Sequence, residues 1–161
     1  MKPLIIDNFI DEELLKTLNI IMLGGGFGWG YSDGIVAGDK DNFQFFHSFY
    51  TDERKSFFYH LLEPILQKIE YKELYRIKAN LITKTPEIVQ HGFHCDMSSS
   101  LDYTTGILYM NTNDGYTEFE DGTKIESVAN RFITFPEKTK HRGTSCTNEK
   151  VRIVINFNFL T

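Results

Sequence analysis

Three residues in the second half of the chain, His94, Asp96 and His141, have the types and spacing of a metal site. In an extended segment, residues two apart point to the same face, so His94 and Asp96 would project together while Cys95 points the other way. His141 lies 47 residues beyond His94, and a rolled sheet can bring such distant strands together. Two imidazoles and one carboxylate on one side of an ion leave three coordination positions open, which is typical of non-haem Fe(II) centres.

The last apolar segment of the chain offers a cation that could meet an anionic ligand. One face of this predicted strand is apolar and the other carries Arg152, Val154, Asn156 and Asn158. A guanidinium on an inward face is costly unless an anion meets it. A dicarboxylate could supply that anion through a bidentate fork. Lys150 is the rival candidate on the same face, and Arg152 is preferred because it lies deeper in the strand.

Helices that could support this site are predicted in the first half of the chain. Asp11 can cap a helix whose leucine stripe ends at Gly24–Gly26. The glycine-rich segment from Gly24 to Asp41 reads as a loop without a phosphate-binding pattern. Residues 52–69 are predicted to be helical, with Pro64 breaking the helix or opening a second one.

Strands dominate the rest of the chain. Alternation predicts strands at residues 43–50, 75–83, 103–111, 116–120, 123–127, 131–135 and 152–159. Strands at this spacing without intervening helices indicate a sandwich or barrel. Arg76, Lys78 and Asn80 share one face of the second strand and are expected to be solvated, although they could line a pocket mouth.

Composition narrows the class of protein. The chain of 161 residues contains 14 Phe and 8 Tyr, which favours one folded domain over disorder. A net charge of −5 disfavours nucleic acid as a partner. Cys95 and Cys146 cannot form a disulfide framework. The apolar run ended by Asp7 is short for a signal peptide, and no window reaches membrane-spanning length, so a cytoplasmic location without membrane contact is expected.

The region from about residue 76 to 159 resembles the Fe(II)/2-oxoglutarate-dependent dioxygenases of the prolyl-hydroxylase-like branch. The segment Thr105–Asn111 is similar to that branch's T-x-x-x-Y-L-N strand, and Asp114–Phe119 is similar to its G-G-x-T-x-F motif. The order of His94-x-Asp96, these two motifs, Phe135-Pro136, His141 and Arg152 completes the pattern. The small chain size also resembles stand-alone members in bacteriophage genomes.

The resemblance implies a role for each matching residue. His94, Asp96 and His141 would bind Fe(II), and Arg152 would pair with the distal carboxylate of 2-oxoglutarate. Tyr109 would donate its hydroxyl to the same carboxylate, and Thr105 could add a hydrogen bond to the cosubstrate. His91, at odd spacing from His94, is expected to face outward.

The resemblance also implies a fold and a reaction. The fold would be mainly β, a double-stranded β-helix (a cupin-like jelly roll) with N-terminal helices packed on one sheet. Residues 1–161 would form a single domain, with 1–75 as helical support and lid region and 76–161 as the core. The reaction would consume O2 and 2-oxoglutarate, release succinate and CO2, and hydroxylate an unactivated C–H bond.

Three functions remain open from the sequence. The leading hypothesis is hydroxylation of a protein or peptide side chain, most simply of proline. The second keeps the chemistry on a free amino acid, small metabolite or nucleobase. Base-demethylase relatives carry a second arginine six residues after the one matching Arg152, and here that residue is Asn158. The third is a metal-free jelly-roll binding module, or a cupin that does not use 2-oxoglutarate.

Overall fold

The computed structural model describes residues 2–39, 41–96 and 101–161. Short strands and two helices alternate in the first half of the chain, and strands alone make up the second half. In chain order the elements are β1 (Leu4–Ile6), α1 (Glu12–Met22), β2 (Gly30–Ser32), β3 (Gln44–Thr51), β4 (Arg54–Lys55), a 3₁₀ helix (Tyr59–Leu62), α2 (Glu63–Leu66), β5 (Glu73–Thr83), β6 (Tyr103–Tyr109), β7 (Tyr116–Phe119), β8 (Lys124–Glu126), β9 (Phe132–Pro136), β10 (His141–Gly143) and β11 (Val151–Leu160).

Two antiparallel sheets form the body of the fold. The larger sheet has eight strands in the order β1-β9-β6-β11-β5-β3-β2, with β4 paired to β3, and the smaller has the order β10-β7-β8. An apolar cluster joins the two sheets, with Phe119 and Ile125 from the smaller one and Ile107, Ile133 and Val154 among those from the larger. This architecture confirms the predicted mainly β jelly roll.

Helix α1 covers the opposite face of the larger sheet. The Asp11 carboxylate caps it by accepting hydrogen bonds from the backbone N–H groups of Glu13 and Leu14 at 2.9 and 3.4 Å. Leu18 and Met22 then join one core cluster with the apolar face of β11, which consists of Ile153, Ile155, Phe157 and Phe159. The polar face of β11 is thereby turned toward the smaller sheet, as its alternation predicts.

The helix predicted over residues 52–69 is wrong in its first part. Asp52 and Glu53 have positive φ angles of 49° and 61°, and this left-handed pair turns the chain back so that β4 pairs with β3. Helical structure begins only at Tyr59, and Pro64 lies in the first turn of α2. The proline therefore opens a second short helix, which is one of the two predicted outcomes.

The region before residue 75 contributes strands as well as helices to the fold. β1 adds to the free edge of β9, and β3 pairs with β5 and extends the larger sheet. Neither helix of the described residues has the length and apolar content needed to cross a lipid bilayer.

Candidate metal and cosubstrate site

The side chains of His94, Asp96 and His141 converge at one end of the space between the sheets. One candidate ligand atom from each lies within 4.8 Å of the others. Asp96 Oδ1 is 3.8 Å from His94 Nε2 and 3.9 Å from His141 Nε2. The side chains of Asp96 and His141 are each 4% exposed and that of His94 is 31% exposed. Two imidazoles and one carboxylate thus surround a point that remains accessible from one side.

Hydrogen bonds orient both imidazoles toward that point. His94 Nδ1 lies 3.2 Å from the Gly92 carbonyl oxygen, and His141 Nδ1 lies 3.1 Å from that of Thr139. Because a carbonyl only accepts, each Nδ1 carries a proton, so in the neutral imidazole Nε2 is the nitrogen with the free lone pair. This is the tautomer that a metal-binding histidine requires.

The Asp96 carboxylate is held through its other oxygen. Asp96 Oδ2 accepts hydrogen bonds from the Thr105 hydroxyl and from the Asn158 amide, each at 3.1 Å. Oδ1 is left to face the two imidazoles. The carboxylate is therefore arranged to give one oxygen to an ion while neighbouring side chains fix its orientation.

The electrostatics of the triad suit metal binding. Burial opposes ionisation of Asp96, but attraction to His141 whenever that imidazole is protonated, the charge of Arg76 and the Asn158 hydrogen bond bring its pKa below the ordinary value. Burial lowers the pKa of His141 despite the opposing effect of Asp96. At neutral pH the site therefore offers an ionised carboxylate and a neutral His141, which are the protonation states that ligate metals.

Arg152 lies deeper in the same cavity, on the polar face of β11. The cavity has a volume of about 300 Å³ and is lined by both Arg152 and the triad. Arg152 is 3% exposed. Its Nε donates to Ser127 Oγ at 2.9 Å and its Nη2 to Thr117 Oγ1 at 3.3 Å. No carboxylate within the described ranges pairs with this guanidinium, so a buried cation faces the cavity with neutral partners only.

The neighbours of Arg152 explain two motif residues. The Asn111 side chain donates to the Val151 carbonyl at 2.8 Å and accepts from the Ile153 N–H at 3.0 Å, which fixes the backbone on both sides of the arginine. Gly115 has no room for a side chain, because a Cβ there would lie 2.7 Å from Arg152 Cδ. Lys150, the rival candidate, is exposed outside this cavity.

Neither Tyr109 nor Thr105, which are both predicted to contact a cosubstrate, is among the residues that line the cavity. Tyr109 is fully buried behind the cavity wall, and its hydroxyl donates to Thr117 Oγ1 at 2.7 Å. Thr117 rather than Tyr109 lines the cavity. Thr105 is fully buried beside the triad, where its hydroxyl donates to Asp96 Oδ2. β6 runs behind the cavity from the triad toward Arg152. Thr105 and Tyr109 are four residues apart on this strand, so Thr105 lies near Asp96 and Tyr109 lies near Arg152.

The prediction that His91 faces outward is wrong. The segment preceding the triad runs antiparallel to β10, with Gln90 opposite Thr144 and His94 opposite His141. His91 is 4% exposed in this arrangement and lines the cavity, and its Nδ1 has no hydrogen-bond partner. Burial, together with the charge of Arg152, lowers the pKa of His91 to about 4.

The polar face of β5 also lines the cavity instead of being solvated. Arg76, Lys78 and Asn80 all contribute to its wall. In register, Asn80 lies opposite Val154, Lys78 opposite Asn156 and Arg76 opposite Asn158 on β11. The sequence already indicates that these two polar faces could meet, because β5 and β11 both alternate between apolar and polar residues.

Comparison with known proteins finds similarity in structure but not in sequence. No family profile and no curated protein sequence matches the chain. The fold is that of the 2-oxoglutarate- and Fe(II)-dependent oxygenases, as three solved structures show. The viral collagen prolyl hydroxylase of Paramecium bursaria Chlorella virus-1, in its 2-oxoglutarate complex, is 15% identical with a TM-score of 0.64, covering 100% of this chain and 97% of that one.

The other two structures extend the comparison to bacteria and animals. A 2-oxoglutarate–Fe(II) oxygenase family oxidoreductase from Burkholderia pseudomallei is 12% identical with a TM-score of 0.69, over 98% of this chain and 84% of that one. A prolyl hydroxylase from Trichoplax adhaerens, solved with a hypoxia-inducible-factor peptide fragment, is 14% identical with a TM-score of 0.62, over 98% and 83%. These likenesses cover essentially the whole chain.

Proposed function

We propose that this chain is an Fe(II)- and 2-oxoglutarate-dependent oxygenase that hydroxylates an unactivated C–H bond on a protein or peptide side chain. The observation that carries the proposal is the joint geometry of the cavity. A triad of His94, Asp96 and His141 lies at one end. At the other end lies the buried Arg152, whose guanidinium pairs with no carboxylate of the described residues. A metal-chelating dianion would satisfy both ends at once.

The triad would hold the iron in this proposal. With three protein ligands, the ion would keep further coordination positions for cosubstrate and oxygen. Bound iron supplies oxygen activation coupled to the conversion of 2-oxoglutarate to succinate and CO2. Thr105 and Asn158 would act as positioning residues, because they hold Oδ2 of the Asp96 carboxylate and leave Oδ1 for the metal.

The distal carboxylate of 2-oxoglutarate would be bound by Arg152. Its guanidinium is already fixed by Ser127 and Thr117, so little side-chain entropy is lost on binding. Thr117, which lines the cavity and accepts a hydrogen bond from the Tyr109 hydroxyl, would make the contact that the resemblance implies for Tyr109. His91, neutral and unpartnered beside Arg152, is available as a further hydrogen-bonding group.

The proposal of a protein or peptide substrate is supported by the similar solved structures. The relative from Trichoplax adhaerens was solved with a peptide fragment in place, and the Chlorella virus relative is named as a collagen prolyl hydroxylase. Both share this fold over nearly the whole chain. Proline-containing peptides are therefore the first substrates to test.

The test is conversion of 2-oxoglutarate to succinate by the Fe(II)-loaded protein with a panel of proline-containing peptides. We expect succinate to form in step with gain of one oxygen atom by a peptide, followed by mass spectrometry. His60→Ala, at an exposed histidine far along the chain from the triad, is the matched control for His94→Ala. Succinate formation that is equal in His94→Ala and His60→Ala would contradict the proposal.

A further inference from the structure

The cavity in front of the triad carries more positive charge than the proposed cosubstrate can neutralise. Arg76, Lys78 and Arg152 line it, and Asp96 is the one acid among its described lining residues. With Fe(II) bound, these groups would carry a net charge of about +4, and 2-oxoglutarate would remove two of those charges. Uncompensated positive charge in a partly buried cavity is costly unless another anion enters.

Lys78 lines the cavity outside the ion pairs that the described residues form. Among residues 2–39, 41–96 and 101–161, no carboxylate forms an ion pair with it. Its Nζ lies 5.0 Å from the ring centroid of Phe46, over the ring face. The ammonium therefore borders the cavity with an aromatic ring beside it and with Asp96, which is not in ion-pair contact, as the acid whose charge favours it.

Arg76 adds a second cation close to the proposed iron. Its Nε donates to Asn158 Oδ1 at 3.0 Å, which fixes the guanidinium. Its Nη2 lies 3.7 Å from Asp96 Oδ1, the oxygen that faces the two imidazoles. An ion at the triad would claim that oxygen, and the Nη side of the fork would then be free for a ligand beside the metal.

The wall between these cations is polar and only partly satisfied. The side-chain oxygens of Asn80 and Asn156 are buried without a hydrogen-bond partner, and Asn156 lies opposite Lys78 in the strand register. Amide oxygens only accept hydrogen bonds, so this part of the wall would pair with a donor on the substrate, such as a peptide N–H, and not with its anionic group. The ring of a prolyl residue has no group that could pair with it.

We infer that the primary substrate presents an oxyanion, a carboxylate or a phosphate, to Arg76 and Lys78. The inference rests on the proposed function, because it requires 2-oxoglutarate to occupy Arg152. Since Arg76 also approaches Asp96, the anionic group of the substrate lies close to the carbon that reacts. In a peptide substrate this places an acidic or phosphorylated residue next to the hydroxylated one.

Sulfate is a suitable oxyanion probe, because it needs no knowledge of the substrate. Protein loaded with Ni(II) and 2-oxoglutarate is titrated with sulfate by calorimetry at constant ionic strength. We expect one saturable sulfate site in the wild type and in the control Lys150→Gln, which removes an exposed lysine outside the cavity. In Lys78→Gln we expect sulfate to bind roughly tenfold more weakly, with 2-oxoglutarate affinity unchanged.

Three results would overturn the inference. These are absence of a saturable sulfate site in the wild type, equal sulfate affinity in Lys78→Gln, and a loss of 2-oxoglutarate affinity in Lys78→Gln. A loss of 2-oxoglutarate affinity in Lys78→Gln would mean that Lys78 binds the cosubstrate and not the substrate. Failure of the wild type to bind 2-oxoglutarate at all is a separate result, and it would count against the proposed function.

Matched peptides then identify the source of the oxyanion. Three peptides of one length carry Glu, phosphoserine or Gln beside a proline and compete with sulfate for the loaded protein. Displacement by the Glu or the phosphoserine peptide alone supports the inference and names the group. Equal displacement by the Gln peptide would contradict it.

Discussion

The backbones of His94 and His141 are joined by a reciprocal pair of hydrogen bonds. The His94 N–H donates to the His141 carbonyl at 2.9 Å, and the His141 N–H donates to the His94 carbonyl at 3.0 Å. These bonds bring two histidines 47 residues apart in the sequence into direct cross-strand register. Their imidazoles lie side by side, with ring centroids 4.8 Å apart. The distance between the two proposed ligands is thus set by the main chain.

This arrangement predicts that the side chains can be removed without loss of the fold. His94→Ala keeps both backbone bonds, and its imidazole is partly exposed, so we expect an unfolding free energy close to that of the wild type. Metal binding should be lost, because two ligands remain. Equilibrium dialysis with Fe(II) or Mn(II) measures this, with His60→Ala as control. Metal affinity retained in His94→Ala would show that the triad is not the metal site.

The hydrogen bonds to Asp96 predict a second effect on metal affinity. Thr105→Val removes a hydroxyl that orients the carboxylate while keeping the shape of the side chain. Loss of such a supporting hydrogen bond typically weakens metal binding by about 10- to 100-fold. Thr104→Val, one residue earlier on the same strand, is the control. Equal metal affinities for the two variants would assign Thr105 a purely structural role.

Arg152 is predicted to control the affinity for 2-oxoglutarate without controlling the affinity for metal. Arg152→Lys keeps a positive charge but loses the planar fork that Ser127 and Thr117 hold. We expect the Kd for 2-oxoglutarate to rise about tenfold or more, the equivalent of one charge-assisted hydrogen bond. Calorimetric titration of the Ni(II)-loaded protein measures it, with Lys150→Gln as the control. An unchanged Kd in Arg152→Lys would place the dicarboxylate elsewhere.

The buried His91 predicts a loss of stability in mild acid. Its folded-state pKa of about 4 lies below the ordinary value of 6.5. Between these two values the unfolded chain takes up a proton and the folded chain does not, so stability falls as the pH drops from 6.5 toward 4. The contribution of His91 to this loss is roughly 3 kcal/mol.

Urea unfolding of the metal-free protein at several pH values tests the His91 prediction. The comparison is between wild type and His91→Gln, whose side chain does not titrate. We expect the stability of the variant to fall less steeply between pH 6.5 and 4, while the remaining titrating groups affect both proteins alike. Parallel curves would mean that His91 is protonated in the folded state as readily as in the unfolded one.

The elements with strong alternation could be predicted from the sequence. The apolar face of β11 and its polar face, which includes Arg152, follow from period two alone, and α1 follows from its cap at Asp11 and its leucine stripe. The strands missed were short ones, such as β10, where three residues carry too little pattern. Pairing with β7 and with the segment before His94 stabilises β10, and neither contact is local in sequence.

The residues that converge on the cavity could be predicted from the sequence, but the depth of their neighbours could not. His94-x-Asp96, His141 and Arg152 follow from spacing and motif order. Thr105 and Tyr109 were placed on the right strand face, but spacing does not reveal that the strand spans the cavity from Asp96 to Arg152. His91 was misplaced because its burial depends on the cross-strand register of residues 90–94 with β10.

The most direct test of the central claim is anaerobic titration of the Fe(II)-loaded protein with 2-oxoglutarate, followed by visible absorption. A 2-oxo acid that chelates iron through two oxygens gives a weak charge-transfer band. The account predicts that this band appears in the wild type, saturates with 2-oxoglutarate and is absent in His141→Ala. Metal binding without the band, or a band that persists in His141→Ala, would contradict the proposed site.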